Sequence, residues 1–311
     1  MTKAPSLCLV GTGHMAINYA KVLTDLKVSF TVIGRGKISA KSFTISTGCK
    51  VTTGGIKKYK PPYSAIVAVG IKDLIKVSKY LINNGTKRIL LEKPGGINLN
   101  ELKSLQSLAK KKKTKIFIAY NRRFYHSVEI MKKLIKRDGG VRSMIFDFTE
   151  WSNRISKLKK DNKIKENWFL SNSTHVVDLA FHLCGKPKTW KFWHKGGLHW
   201  HSRSSSFCGA GITDKGIIFS YLSDWEAPGR WGLELMTKKN RFILKPMEEL
   251  KVIKLDSVVV EKIKIKKKID TNYKAGIFLQ TKKFVNKQDL LFCSLAEQIK
   301  NVKIYLKMAG Y

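Results

Sequence analysis

Gly11-Thr12-Gly13-His14-Met15-Ala16 stands between an apolar run, Leu7-Cys8-Leu9-Val10, and an amphipathic stretch, Met15–Leu26. A Gly-x-Gly-x-x-Ala turn at the exit of a buried strand and the entrance of a helix admits few folds. Gly11 permits the tight turn, Gly13 lets backbone approach a pyrophosphate, and Ala16 lets helix and strand pack closely. The first N–H groups of the helix then face phosphate oxygens. The segment reads as a dinucleotide cradle, with Thr12, His14 and Met15 beside the glycines.

The next strand, Phe30–Ile33, bears on which dinucleotide. An NAD site places Asp or Glu about 20 residues past the glycines, on the ribose 2′-hydroxyl. Here the segment is Val32-Ile33-Gly34-Arg35-Gly36-Lys37-Ile38-Ser39, without a carboxylate. Arg35 can lie against adenine or pair with a 2′-phosphate, and Lys37 and Ser39 can add contacts. NADP is the expected cofactor, with NAD as the alternative.

Strand–helix alternation continues to about residue 120. Ala65–Val69, Arg88–Glu92 and Ile116–Tyr120 read as buried strands. Helices start at Asp73 and at Asn98 or Asn100, the second capped by asparagine. Val69 and Glu92 fall at strand ends, on the side where such sheets bind ligands. From residue 122 the pattern changes to a helix, Ser127–Lys136, then alternating segments: Arg142–Trp151, Thr189–His194, Gly216–Asp224, Gly232–Thr237, Arg241–Leu244 and Leu250–Leu255. Alternation of this kind suggests an antiparallel sheet with one wet face. His175–Leu183 is a candidate covering helix, Asp289–Met308 reads as a terminal helix, and Glu261–Lys268 as an exposed strand or loop. The fold class is α/β: a parallel-sheet Rossmann domain over 1–122, then an α+β domain with a large, mostly antiparallel open sheet over 123–311.

Composition narrows the function classes. The 311 residues carry 60 Lys+Arg against 22 Asp+Glu, a net charge of +38. Such a field attracts phosphates, anionic lipids and nucleic acids. The cations are spread along the chain and interleaved with core residues, so drift toward lysine is favoured over a nucleic-acid groove. The densest runs, Lys110–Lys113 and Lys266–Lys268, fall where helices or strands should end. No apolar run approaches the roughly 20 residues of a membrane span, and the start leaves no room for a signal peptide. Five widely spaced cysteines without a C-x-x-C read as reduced thiols in a cytoplasmic protein. His194, His199 and His201, with Trp193 and Trp200, match no standard zinc spacing, so no metal is expected.

Four features in order resemble the GFO/IDH/MocA oxidoreductase family, the group of glucose–fructose oxidoreductase and inositol dehydrogenase. They are Gly11–Ala16, Glu92-Lys93-Pro94, Tyr120-Asn121-Arg122-Arg123-Phe124, and Trp168…His175-Val176-Val177-Asp178. The resemblance spans essentially the whole chain. It implies hydride transfer between nicotinamide and a sugar, sugar acid, cyclitol or nucleotide-sugar hydroxyl or ketone. It also implies a C-terminal sheet that often serves as an oligomer interface, so a homo-oligomer is expected. Lys93 is implied as catalytic, and His175 matches the histidine of the family's D-x-x-x-H segment. The matching aspartate position holds Ser171, so Asn172, Ser171 or Asp178 must orient the group, or the chemistry differs. Tyr120, Asn121, Arg122 and Arg123 follow the last strand of the Rossmann domain, where substrate should sit. Either arginine can hold a carboxylate or phosphate bidentately. With Trp168 as an apolar wall and Asn172 and Asp178 as polar contacts, the site suits a polar ring with a negative group. Two other readings stay open: reduction of a C=C or C=N bond, and a non-catalytic basic protein binding nucleic acid or a membrane surface.

Overall fold

The structure, a computed structural model, describes residues 7–265 and 269–311. The residues before Leu7 and the lysine run Lys266–Lys268 lie outside the described residues. The chain forms two compact units. One contains the residues up to Asn121 together with Thr271–Lys300; the other contains Arg122–Asp270 and Asn301–Tyr311. A single boundary near residue 122 is therefore replaced by three crossings, because the chain returns to the first unit.

In chain order, β1 (Leu7–Val10), α1 (His14–Asp25), β2 (Phe30–Ile33), α2 (Lys37–Thr47), β3 (Val51–Thr52) and β4 (Ser64–Val67) open the first unit. They are followed by α3 (Ile71–Asn83), β5 (Arg88–Leu91), α4 (Leu99–Lys111) and β6 (Lys115–Ile118). β1, β4 and β5 are buried along their whole length, which is why, after Ser64 and Arg88 at the starts of β4 and β5, they read as apolar runs. α1 buries Ala16, Tyr19, Ala20, Val22 and Leu23. At α4 the Asn98 side chain accepts the N–H of Asn100 at 2.8 Å, and Lys110 and Lys111 occupy the last turn, where they suit the helix dipole. α2 and β3 are additions to the expected pattern. α2 exposes Ile38 and Ile45, at 86% and 77%, so its apolar spacing does not report a buried stripe.

The second unit holds α5 (His126–Arg137), β7 (Ser143–Asp147), two short helices, α6 (Ser152–Ser156) and α7 (Asn162–Glu166), and α8 (Thr174–Cys184). Strands β8 (Pro187–Lys195), β9 (Ser206–Thr213), β10 (Ile218–Asp224), β11 (Gly232–Met236), β12 (Asn240–Leu244), β13 (Lys251–Lys254) and β14 (Glu261–Lys262) follow. Their order is β14-β13-β12-β11-β7-β10-β9-β8. Every pairing is antiparallel except β7 with β10, which is parallel. α8 covers one face: Phe181 meets Phe146 at 5.5 Å and Phe219 at 5.4 Å between ring centroids. β9 has no expected counterpart, because its Ser/Gly-rich sequence hides it. Gly209 and Gly211 lie where a Cβ would strike the Tyr221 ring and the backbone and Cβ of Trp190.

The remaining elements are α9 (Ile269–Asn272), α10 (Ile277–Val285), β15 (Cys293–Ser294) and α11 (Leu295–Ala309). The expected helix from Asp289 thus starts later, at Leu295, because Cys293 and Ser294 pair with Ile118 and Phe117 as an antiparallel edge strand. The first unit's sheet runs β15-β6-β5-β4-β1-β2-β3, otherwise parallel. Arg88, only 5% exposed, fastens this return. Its guanidinium stacks 4.5 Å from the Phe284 ring centroid, donates to the Phe284 carbonyl at 3.1 Å and pairs with Asp289.

Partial burial pushes the Asp289 carboxyl up, but hydrogen bonds from Arg88 and Lys115 outweigh it and hold the group below its ordinary range. Its contribution to stability is therefore present above the unfolded pKa, about 3.9, and is lost as pH falls through the lower folded value. Asp289→Asn is expected to cost about 2–3 kcal/mol at neutral pH in urea unfolding. It should also flatten the stability profile between about pH 5 and pH 2. A variant whose stability falls in parallel with that of the parent would show that this carboxylate is not the acid-sensitive lock.

Candidate functional site

The turn leaving β1 is shaped by Gly11. Its φ is +124°, and a Cβ there would lie 2.2 Å from the Ala68 carbonyl oxygen. No other residue suits that position. At Gly13, the residue preceding α1, an added Cβ meets nothing within 4 Å, so open space lies over the turn. α1 has no side-chain cap and no acidic residue in its first turn, which leaves its N–H groups to an external anion. These features fit a pyrophosphate.

The turn opens on a cleft of about 550 Å³. Its lining includes Gly11, Thr12, Gly13, Arg35 and Val69 from the expected set. His14, Met15 and Lys37 are not on its lining; His14 and Lys37 are exposed at the starts of α1 and α2. Arg35 is 85% exposed, with Nη1 3.4 Å from Asp73 Oδ2. Such an exposed pair is worth little, so Arg35 can exchange Asp73 for a phosphate at low cost. Ser39 Oγ donates to the Gly36 carbonyl at 3.1 Å. Gly54-Gly55-Ile56-Lys57, Lys76 and Tyr80 form a wall that the sequence pattern did not announce. Gly55 N–H donates to the Gly34 carbonyl at 2.9 Å and Tyr80 Oη to the Lys57 carbonyl at 3.1 Å, which fixes that wall.

Glu92 and Lys93 follow β5 and lie outside that lining. The Glu92 carboxylate accepts from Tyr19 Oη at 2.8 Å, tying the strand end to α1. Burial pushes the Glu92 carboxyl up, opposed by the Tyr19 hydrogen bond and the charges of Lys93 and Lys274. Lys93 is half-buried, and the Lys93–Pro94 bond is cis. Gln298 Nε2 donates to the Pro94 carbonyl at 2.9 Å and to Tyr120 Oη at 3.0 Å. The Asn121 amide donates to the Ala275 carbonyl at 2.9 Å. Tyr120 and Asn121, expected as substrate contacts, are thus buried braces of the first unit.

In the second unit the two adjacent arginines part company. Arg123, whose side chain is 2% exposed, makes a bidentate pair with Asp178 through Nε at 2.7 Å and Nη2 at 2.6 Å. Two buried opposite charges satisfy each other, so this pair pins α8 to the start of the unit and leaves the substrate set. Arg122 instead lies 4.5 Å from the Trp231 ring centroid. Burial lowers its pKa and the nearby charge of Arg230 adds to the effect, while Tyr125, Glu248 and Glu150 oppose it.

Phe169–Ser173 forms a π-helical turn before α8, a feature frequent at functional sites. The Ser171 hydroxyl donates to the Trp168 carbonyl at 3.3 Å. Asn172 Nδ2 and Ser173 Oγ both donate to Glu150 Oε1 at 2.8 Å, and Arg230 Nη1 donates to Oε2 at 2.7 Å. Glu150 is 1% exposed; burial raises its pKa, and Arg230, Ser173 and Asn172 oppose the rise. Arg230 stacks 4.1 Å from the Trp231 centroid and 4.8 Å from that of Trp151. The His175 ring, buried in the first turn of α8, lies 6.0 Å from Trp231. Trp168 packs edge-on to Trp200, and its Nε1 has no hydrogen-bond partner among the described residues. Glu150, Trp151, Arg154, Leu198, Trp225 and Glu226 line part of a cavity of about 490 Å³. Glu150, Arg230 and Trp231 belong to no motif, and only their convergence in space reveals them.

His201 is engaged elsewhere. Its Nδ1 is 2.7 Å from the Ser204 carbonyl and its Nε2 is 2.7 Å from Tyr311 Oη, and burial lowers its pKa.

No family model matches the sequence, and no curated protein matches it. Solved structures do match over nearly the whole chain. UDP-N-acetylglucosamine 3-dehydrogenase GnnA from Acidithiobacillus ferrooxidans aligns with a TM-score of 0.75 at 10% identity, covering 98% of this chain and 96% of that one. Levoglucosan dehydrogenase, in complex with NADH and L-sorbose, aligns at 0.76 and 15% over 98% and 96%. A dehydrogenase from Chromobacterium violaceum aligns at 0.78 and 12% over 98% and 94%. The likeness is one of fold: an α/β chain with a parallel-dominated sheet and a second, mostly antiparallel one.

The Arg123–Asp178 pair carries a test of its own. Asp178→Ala removes the buried bidentate partner of Arg123 and is expected to cost about 3–5 kcal/mol in urea unfolding. Stability equal to the parent's would return Asp178 to the substrate contacts.

Proposed function

We propose that this chain is an NADP(H)-dependent oxidoreductase acting on a ring hydroxyl or ketone of a sugar, sugar acid, cyclitol or nucleotide-linked sugar. The observation that carries the reading is the uncapped amino end of α1, opening through Gly11 and Gly13 on a cleft with Arg35 at its rim. Neighbours in fold whose names state sugar dehydrogenases, one of them with NADH bound, support it.

In this reading Gly11, Thr12 and Gly13 hold the pyrophosphate, and Val69 lines the cleft toward the nicotinamide end. Arg35 and Lys37 engage the 2′-phosphate, and His14, Met15 and Glu92 complete the binding set. A bound nicotinamide supplies the acceptor or donor for hydride. Lys93 exchanges the proton of the reacting hydroxyl. Lys93 is half-buried just past the end of β5, on the side where such sheets bind ligands. His175 is the second proposed catalytic residue, Trp168 and Asn172 are the proposed substrate wall, and Arg122 is the proposed contact for the negative group. The second reading, reduction of a C=C or C=N bond, draws on Ser171 standing where the resemblance expects an aspartate.

No described helix is long and apolar enough to cross a membrane, and the cysteines are free thiols. Both suit the cytoplasmic place proposed for the chain. The proposed assembly is a homo-oligomer through the uncovered sheet face. There Ile145, Ile212, Ile218 and Leu222 are 40–69% exposed. β7, β9 and β10 contain no lysine or arginine, in a chain that has 60 of them. An apolar strip kept clear of cations suits a second copy of the same strip.

Three outcomes are expected. Lys93→Ala should lose about 10²–10⁴-fold in turnover while keeping NADPH affinity, measured by fluorescence titration; an unchanged rate removes Lys93 from the chemistry. Arg35→Ala should weaken NADP more than NAD, and equal losses would dismiss the phosphate contact. Leu222→Glu should shift the parent, larger than 35.4 kDa by light scattering, toward the monomer. A parent that already runs as a monomer would refute the assembly.

A further inference from the structure

Three arginines and two tryptophans alternate in the second unit. Arg154 lies 4.4 Å from the Trp151 centroid, Arg230 is 4.8 Å from Trp151 and 4.1 Å from Trp231, and Arg122 is 4.5 Å from Trp231. One buried carboxylate, Glu150, pairs with the central guanidinium. A guanidinium stacked on an indole has its faces occupied and keeps its in-plane N–H donors for a planar oxyanion. Arg230 meets that condition. Its side chain is 37% exposed, and Nη1 is the atom it gives to Glu150.

We infer that Arg230 determines specificity for an oxyanion on the substrate, a carboxylate or a phosphate ester, and that Glu150 is its positioning residue. This rests on the oxidoreductase reading and goes beyond the role proposed for Arg122. Four observations carry it. Arg123 is consumed by Asp178, so it cannot read the anion. Glu150 has both oxygens engaged, Oε1 by Asn172 and Ser173 and Oε2 by Arg230, so it fixes a geometry and does not take a proton from substrate. Trp231 is shared by Arg230 and His175, so an anion on Arg230 lies along the same wall as the imidazole and sets which ring carbon faces it. Trp231 Nε1 is enclosed, with no hydrogen-bond partner among the described residues, which adds a buried donor to that wall. Arg122 and Arg230 share one indole; Glu150 pairs with Arg230, and the charge of Glu248 acts on Arg122. The partly exposed Arg230 is thus the cation of the two that an anionic ligand can reach.

The test is calorimetric titration of the full-length protein with D-glucuronate, D-glucose 6-phosphate and D-glucose, first without coenzyme and then with NADPH. At least one of the two anionic sugars should bind ten times or more tighter than glucose, and the stronger arm identifies the source as carboxylate or phosphate. Arg230→Met should abolish that preference, bringing both anionic sugars to the affinity of glucose. Arg230→Lys, a milder change that retains charge but not the fork, should lose most of it. Glu150→Gln should weaken the anion and spare glucose, whereas a purely structural role would weaken both, and Glu150→Asp should recover part of the preference. A parent with no preference for either anion overturns the inference, as does a preference that survives Arg230→Met. Loss of NADPH binding with the anion preference intact would instead strike the oxidoreductase reading alone.

Discussion

The close approach of Gly11 to the Ala68 carbonyl is the constraint on which the first unit is built. β1 pairs in parallel with β2 on one side and β4 on the other, and its exit must clear both neighbours before α1 begins. The Gly11 N–H bonds the Ile33 carbonyl at 2.9 Å, and the Ala68 N–H bonds the Val10 carbonyl at 2.8 Å. The chain therefore leaves the sheet between two strands, through a gap that tolerates no side chain. Direction, helix placement and the open space over Gly13 all follow from that exit. The same turn that lets the layers pack also exposes the donors the proposed cofactor needs.

Acidic residues are scarce in this chain, and several of them do specific work. Glu92 accepts from a tyrosine hydroxyl, Asp178 and Asp289 neutralise buried arginines, and Glu150 gathers three donors. A net charge of +38 raises the self-repulsion of the compact state. Carboxylates placed in the interior counter that repulsion where the dielectric is low and each pair counts most.

Much of the first unit was legible in sequence because parallel strands buried on both faces must be apolar throughout, as Leu7–Val10 and Arg88–Leu91 largely are. α1 and the Asn98 cap followed from helical spacing and capping chemistry. α2 was hidden because its exposed isoleucines obey no single face, and β9 because glycines replace the side chains that alternation would have shown. The site divides the same way. The glycine turn and Lys93 sit in contiguous motifs, and the turn's geometry is fixed locally. Glu150 and Arg230 are 80 positions apart and meet only through the pairing of β7 with β11. Side chains that meet through strand pairing leave no local spacing to read. Arg122 and Arg123 are alike on paper, and the 3₁₀ turn at Asn121–Phe124 sends one to Trp231 and the other to Asp178.

Residues 271–300 complete the first unit, and the chain then crosses back within a single helix. A recombination event or a gene fusion that kept only the amino-terminal segment would strip β15 from the rim of the parallel sheet and bare β6. It would also leave Arg88 without the acid that holds it. Exchanging either half with a related gene would require three splice points, one of them inside a continuous helix. Neither unit is thus a contiguous cassette of the chain.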